Sequence, residues 1–430
     1  MKKTIDQSDM KTPALFKLED QANDYQWNEQ ESIKEQLASK LQTNSAFELV
    51  GGAMHYDWGK LGSESLATQL MPDAAIDQTK PYAELWMGVH PNQPSRVKFG
   101  NGEWLSDVLM KNRALLGNYT FERWGTLPFL LKVLSIAKPL SIQIHPDKMW
   151  AKRLHSQAPN HYPDDNHKPE IAMPLTTLEM LYGLEKQDAW KNILSKYPPL
   201  SKYCSKIGYT PSVILPDLLS LPENEENKLL EDLYTYLQKK QNVEAKEKLF
   251  LSLYPQYPND LGLLFIFFMR FLTVEPGNTI FIQTNHLHSY LSGDLVECMA
   301  NSDNAIRAGI TSKYKDVKQL LSELSYDDHA PQLSSGIVDS QYVTRFPTDA
   351  EEFEMQEIKL PKNRSLLQGK HPVPSILLTL SGQGKISSNH GNLMIKKGSA
   401  VFVGANHSYG ISASDDLRVI RASVPFPEDQ

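Results

Sequence analysis

The amino-acid sequence predicts a mainly β protein made of small double-sheet barrels, with an α-helical insert interrupting the first. Three observations predict it. From "AFELVGGAMHYDWGKLG" onward, short apolar runs alternate with Gly, Pro and Asn turns, the texture of antiparallel sheets. Between about 186 and 258 that alternation stops and apolar residues recur at helical spacing. The final hundred or so residues return to closely spaced strands and glycine turns.

Taken in order, residues 1–45 form a polar N-terminal extension rich in Gln, Asp, Glu and Lys, in which "NEQESIKEQLASKLQ" has the spacing of a surface helix. Residues 46–185 and 259–325 are expected to build the first barrel. Within it "TLPFLLKVLSIAKPLSIQIHP" predicts two strands joined by an Ala137–Lys138–Pro139 turn, and "NTIFIQTNHLHSYL" predicts another, launched by the "EPGN" turn. Residues 186–258 are the insert, clearest in "ENEENKLLEDLYTYLQKKQNVEAKEKLFLSLYP". Residues 326–430 are expected to form a C-terminal barrel. There "PSILLTLSGQGKISSNHGNLMIKKGSAVFVGANHSYGIS" has the strand and glycine rhythm of a cupin or jelly roll. Its Asn406 and His407 look like a degraded metal motif, and with no second ligand pair beside them they read as structural.

Composition bounds the function. The 430 residues are 40% hydrophobic and 22% charged, as in a folded soluble protein. A net charge of −7 argues against a nucleic-acid partner. The two cysteines, Cys204 and Cys298, build no disulfide framework, so a reducing cytoplasm is expected. The most apolar run, "LGLLFIFFMRFL", is short for a membrane span and carries Arg270, and "MKKTIDQSDMKTP" lacks the apolar core of a secretory signal. No membrane or nucleic-acid partner is expected; a monomer acting on a small molecule is.

The chemistry concentrates in "SIQIHPDK". In a strand, residues two apart share a face, so Gln143 and His145 point together while Ile142 and Ile144 pack the other way. A polar pair inside so apolar a neighbourhood needs partners. Alone, a solvated face or a hydrogen-bonded core pair accounts for it. Other ligand-type residues change the balance: His167, Lys168 and Glu170 in "DDNHKPEIAMPL", and His286 and His288 in "QTNHLHSYLSGDLVECMANSDNAIRAGIT". One carboxylate with two or three imidazoles is the usual donor set for Zn²⁺, Fe²⁺ or Mn²⁺. Periodicity does not choose between His286 and His288, nor does it exclude a Glu170–Lys168 ion pair. Lys132, in "FLLKVL", sits inside an apolar strand, where a lysine needs an anion.

"SIQIHPDK", "HKPEIA", "YDWGK", "PYAELWMGVHP" and "HSYLSGDLVECMANSDNAIRAG" together resemble the signature of type I phosphomannose isomerases. Order and spacing match from about Phe47 to Val317, including a helical insert before the last motif; residues 1–45 lie outside. The resemblance implies one Zn²⁺ per chain, held by Gln143, His145, Glu170 and His288, with His286 a neighbour. It implies interconversion of mannose 6-phosphate and fructose 6-phosphate through a cis-enediol. It makes Arg307 the active-site arginine, read here as an electrostatic group because arginine keeps its charge. Lys132, Lys168 and Lys313 match basic positions near the family's pocket. Ser141 shares the face of Gln143 and is a candidate phosphate donor. Glu297 and Asp303 are carboxylates of the long motif, and Asp303, four residues before Arg307, is a candidate to orient it or to carry a proton. Two rivals remain: a cupin-type metal dioxygenase, and a non-catalytic sugar-phosphate-binding protein. Retention of all four ligand positions and Arg307 speaks against the second.

Overall fold

The computed structural model describes residues 46–98, 101–204, 209–327, 330–389 and 391–427. The helix expected in "NEQESIKEQLASKLQ" lies outside them. The described chain is mainly β, in antiparallel sheets.

The strand Phe129–Ile136 is the apolar run "FLLKVLSI", buried throughout. A strand covered on both faces needs such a run. It lies between Glu84–Gly88 and the thirteen-residue strand His288–Ala300. That long strand turns a corner. Its first residues pair with Ile142–Ile144 and Leu178–Leu184, and from Gly293 onward it pairs with Phe129–Ile136 and Glu170–Pro174. Gly293 sits at the switch with φ of 123°, and a Cβ there would lie 2.7 Å from the Thr177 carbonyl oxygen. Only glycine accepts both the dihedral and the approach.

The two strands expected in "TLPFLLKVLSIAKPLSIQIHP" are present as Phe129–Ile136 and Ile142–Ile144. The single strand expected in "NTIFIQTNHLHSYL" is not. It divides into Thr279–Ile282 and the strand that starts at His288. The break is at Asn285, in the left-handed region at φ 64°. Its backbone N–H donates to the His145 carbonyl at 2.7 Å, and its side-chain Oδ1 accepts from the Asp147 N–H at 3.2 Å. These tertiary bonds outweigh the local pattern, and they leave His286 just past a turn instead of on a strand face.

Helices recur among the described residues between 189 and 253, and the longest of them, Glu223–Gln238, buries Leu229, Leu230, Leu233 and Leu237. Their core also takes in Ile142 and Ile144. The apolar side of the "SIQIH" strand is thus sealed by helices, which leaves its polar side for the barrel interior. No helix among the described residues is long and apolar enough to cross a membrane.

Toward the C-terminus, an eight-stranded sheet faces a four-stranded one. Val343, Ile358, Leu377, Val401, Ile411 and Val419 are among the side chains that fill the space between. Ala46–Val50 belongs to the larger of these sheets, paired with Ala400–Val403 on one side and Arg96–Val97 on the other.

Candidate metal centre and active site

Three strand ends converge. His145 follows directly on Ile142–Ile144, Glu170 opens the strand Glu170–Pro174, and His288 opens His288–Ala300. All three side chains are buried, and one ligand atom from each lies within 4.8 Å of the others. His145 Nε2 is 3.4 Å from Glu170 Oε1, and His288 Nε2 is 3.7 Å from Glu170 Oε2.

The ring tautomers follow from what each Nδ1 meets. His145 Nδ1 lies 2.7 Å from the Asn304 carbonyl oxygen, and His288 Nδ1 lies 3.0 Å from that of His286. A carbonyl only accepts, so each Nδ1 carries the proton and each Nε2 keeps its lone pair. Both Nε2 atoms are buried without a hydrogen-bond partner. Two orphaned lone pairs beside a carboxylate are costly unless a cation takes them. The ionisation states agree. Burial first and Lys168 second push the His145 imidazole down to about 3. Burial likewise lowers His288. Burial opposes the Glu170 carboxylate, but Lys168, His145 and His288 outweigh it and hold its pKa well below the ordinary value. Neutral imidazoles and an ionised carboxylate form a divalent-metal donor set, so the residues fit the ion.

The loop that aims His145 is itself pinned. Asn304 Nδ2 donates to Asp164 O at 2.7 Å and to Asn166 O at 2.9 Å, and Ser302 Oγ donates to Asp164 Oδ1 at 2.8 Å. None of these residues was singled out from sequence. Each makes a structural bond between distant segments, and nothing local marks it.

Gln143 stands between His288 and Arg307 in the cross-strand register. Its Oε1 accepts from Ser141 Oγ at 3.3 Å. Arg307, on Ile306–Gly309, is half-buried and makes no ion pair among the described residues. Lys168 Nζ is 3.2 Å from Glu170 Oε1, so the ion pair that periodicity left open is present beside the imidazoles. His286 turns away: its Nε2 is 3.2 Å from Asp327 Oδ2. His167 also leaves the cluster, with Nε2 2.7 Å from Glu352 Oε1.

Lys132 is buried and has its anions. Its Nζ is 3.3 Å from Glu297 Oε2 and 3.6 Å from Glu84 Oε2. Burial opposes its charge, but Glu84, Glu297 and Glu170 outweigh burial and raise the pKa above that of an ordinary lysine. Glu297 also accepts from the Tyr290 hydroxyl at 3.0 Å. Burial first and Glu170 second push the Glu297 carboxyl up to about 7, against the pull of Lys132 and Lys168. Asp303 does not meet Arg307; it accepts from Asn92 Nδ2 at 2.6 Å and lies 3.5 Å from His90 Nε2. Lys313 is exposed and makes no ion pair among the described residues.

Comparison with known proteins agrees with this geometry. Residues 46–186 match the model of the phosphomannose isomerase type I catalytic domain. The chain is 38% identical over 395 residues to mannose-6-phosphate isomerase 1 of Arabidopsis thaliana, covering 86% of this chain and 91% of that protein. The chain belongs to the mannose-6-phosphate isomerase family. The human mannose-6-phosphate isomerase is 33% identical over 418 residues, covering 87% of this chain and 98% of the human protein. The mannose 6-phosphate isomerase of Salmonella typhimurium, solved with fructose 6-phosphate and zinc, superposes with a TM-score of 0.77 at 28% identity. That match covers 89% of this chain and all of the other. The mannose-6-phosphate isomerase likeness therefore spans both barrels and the helices, well beyond the motifs that first carried it.

Proposed function

We propose that this chain interconverts mannose 6-phosphate and fructose 6-phosphate, using one Zn²⁺ held by Gln143, His145, Glu170 and His288. The observation that carries the reading is the pair of orphaned imidazole lone pairs facing an ionised carboxylate. Bound there, zinc supplies Lewis acidity toward a sugar oxygen.

The remaining roles belong to the chain's own side chains. The reaction moves a proton between neighbouring carbons of an open-chain sugar and builds negative charge on their oxygens. Arg307 lies one strand from Gln143 and pairs with no carboxylate among the described residues, so its charge is available to the enediolate or to the phosphate. Glu297, at about 7, exchanges a proton near neutral pH, as a general acid–base must. Lys132 holds Glu297 in place and balances the charge it loses and regains. Lys168 and Ser141, both beside metal-site residues, are proposed to contact substrate oxygens. Asp303 is proposed to act through His90 and Asn92 at the rim, and Lys313, exposed, to meet the phosphate. A cytoplasmic, monomeric enzyme is the matching setting, in keeping with two unpaired thiols.

The test is a coupled assay for fructose 6-phosphate on metal-analysed protein, with and without a chelator and without oxygen. Full turnover after verified metal removal would remove zinc from the proposal. Dependence on oxygen would favour a dioxygenase.

A further inference from the structure

Arg307 sits beside a strand irregularity that a distant part of the chain holds. Ile306 and Ala308 pack into the core shared with the helices, so Arg307 between them projects the opposite way, on the same side as Gln143 directly across. The ladder then slips: Arg307 faces Gln143 but Gly309 faces Ile142, so one extra residue is inserted immediately after the arginine. Such a bulge sets the direction of the side chain next to it. Ile310 follows at φ 55°, in the left-handed region that a β-branched residue enters only when its surroundings impose it.

The restraint comes from Asp260, which lies between the helix Ala245–Leu253 and the strand Met269–Val274 and is 5% exposed. Its Oδ2 accepts from the Thr311 N–H at 3.2 Å, and its Oδ1 accepts from Lys315 Nζ at 2.7 Å. The same Oδ1 accepts from the Gly262 N–H at 3.0 Å, which fixes the short turn Leu261–Leu264. That turn meets the bulge backbone to backbone. A Cβ on Gly262 would come 2.0 Å from the Ala308 carbonyl oxygen, and one on Gly309 would come 2.6 Å from the Gly262 carbonyl carbon. Both residues are glycine because no side chain fits between them. One carboxylate thus bonds to the turn that touches the bulge and to the chain just beyond it.

We propose that Asp260 is a positioning residue for the isomerisation, holding the bulge that aims the Arg307 guanidinium. The inference rests on the reading of Arg307 as the group that meets the enediolate or the phosphate. Asp260 acts on that guanidinium only through the backbone that follows it. A carboxylate suits the task because its two oxygens accept from an ammonium and two backbone N–H groups, a set that an amide with one acceptor oxygen does not replace. Burial keeps water from competing for these bonds. A small displacement of the guanidinium weakens its contact with charge that develops in the transition state, so turnover suffers more than substrate binding.

A double-mutant cycle on the full, zinc-loaded chain tests this, with kcat and KM for the isomerisation, zinc content and Tm measured together. Asp260→Asn should keep its zinc and lose about tenfold to a hundredfold in kcat, with KM within about twofold of the parent. In the Arg307→Ala background the same substitution should cost less than about twofold, because no guanidinium is left to aim. Lys315→Met, which leaves Asp260 and both glycines in place, should show the same pattern with a smaller loss, about threefold. A normal kcat in Asp260→Asn overturns the inference, and so does an equal loss in both backgrounds, which would make Asp260 a stabilising residue only. If Asp260→Asn does not fold, a parental rate in Lys315→Met overturns it. Arg307→Ala with full zinc and a near-normal rate overturns the reading of Arg307 itself, and the positioning role with it.

Discussion

In the barrel that carries the "SIQIH" strand, buried polar side chains face one another as complementary sets: imidazoles against Glu170, and Lys132 against Glu84 and Glu297. In the C-terminal barrel the same kind of interior is Val, Ile and Leu, and the buried charge of Arg421 acts on the neighbouring Glu354 carboxyl. His407, the residue there that most resembles a ligand, spends its Nδ1 on the Ala405 carbonyl at 2.6 Å. The contrast teaches that a β barrel does not by itself make a metal site. Strand ends must present several donors to one point, and the loops behind them must fix each ring.

The sharpest way to break this contrast is to remove one ligand from the first barrel. His288→Ala and His145→Ala should each lose zinc, measured by metal analysis, and activity, by about a thousandfold or more. His407→Ala in the second barrel should change neither. Zinc retained at full stoichiometry in His288→Ala would sink the proposed ligand set.

Next in size is Arg307→Ala, expected to keep zinc and lose about a hundredfold to a thousandfold in kcat. A near-normal rate with full zinc would place Arg307 away from the reaction. Glu297→Gln should likewise keep zinc but lose kcat and the titration near pH 7. An unchanged pH profile would assign the proton transfer elsewhere.

Lys132→Met leaves Glu84 and Glu297 without their cation. Denaturant unfolding should show a loss of about 3 kcal/mol or more, the cost of a broken buried charge set. A stability equal to the parent would mean that those carboxyls simply take up protons.

The smallest expected effect lies in the C-terminal barrel and concerns pH. An ordinary imidazole titrates near 6.5, whereas His371 in the fold titrates near 4. Between those values the unfolded chain binds a proton that the folded chain refuses. Stability from this group is therefore full above about pH 6.5 and is lost as pH falls toward 4. Comparing Tm against pH for the parent and His371→Gln should show a shallower acid-side decline in the variant. Parallel curves would show that His371 contributes nothing.

Much of the first barrel was legible along the chain. Lysine in "FLLKVL" demanded an anion, and Glu297 and Glu84 supply it. Gln143 and His145 had to share a face because Ile142 and Ile144 are core, and helices do cover those isoleucines. Less was legible where distant segments meet. His286 and His288 looked equivalent two residues apart, yet Asn285, bonded to His145 and Asp147, breaks the strand between Ile282 and His288, and His286 ends beside Asp327. Asp303 looked like a partner for Arg307 and instead faces His90 and Asn92.

The sequence by itself determined the β architecture, the ligand types and the family, because strand alternation, apolar runs and motif spacing are local properties of the chain. Only the tertiary structure decided which histidine faces Glu170, what balances Lys132, and that Asp260 bonds to the chain beyond Arg307. Those outcomes depend on which remote groups share a buried space, where an unmatched charge or lone pair costs far more than it does in water.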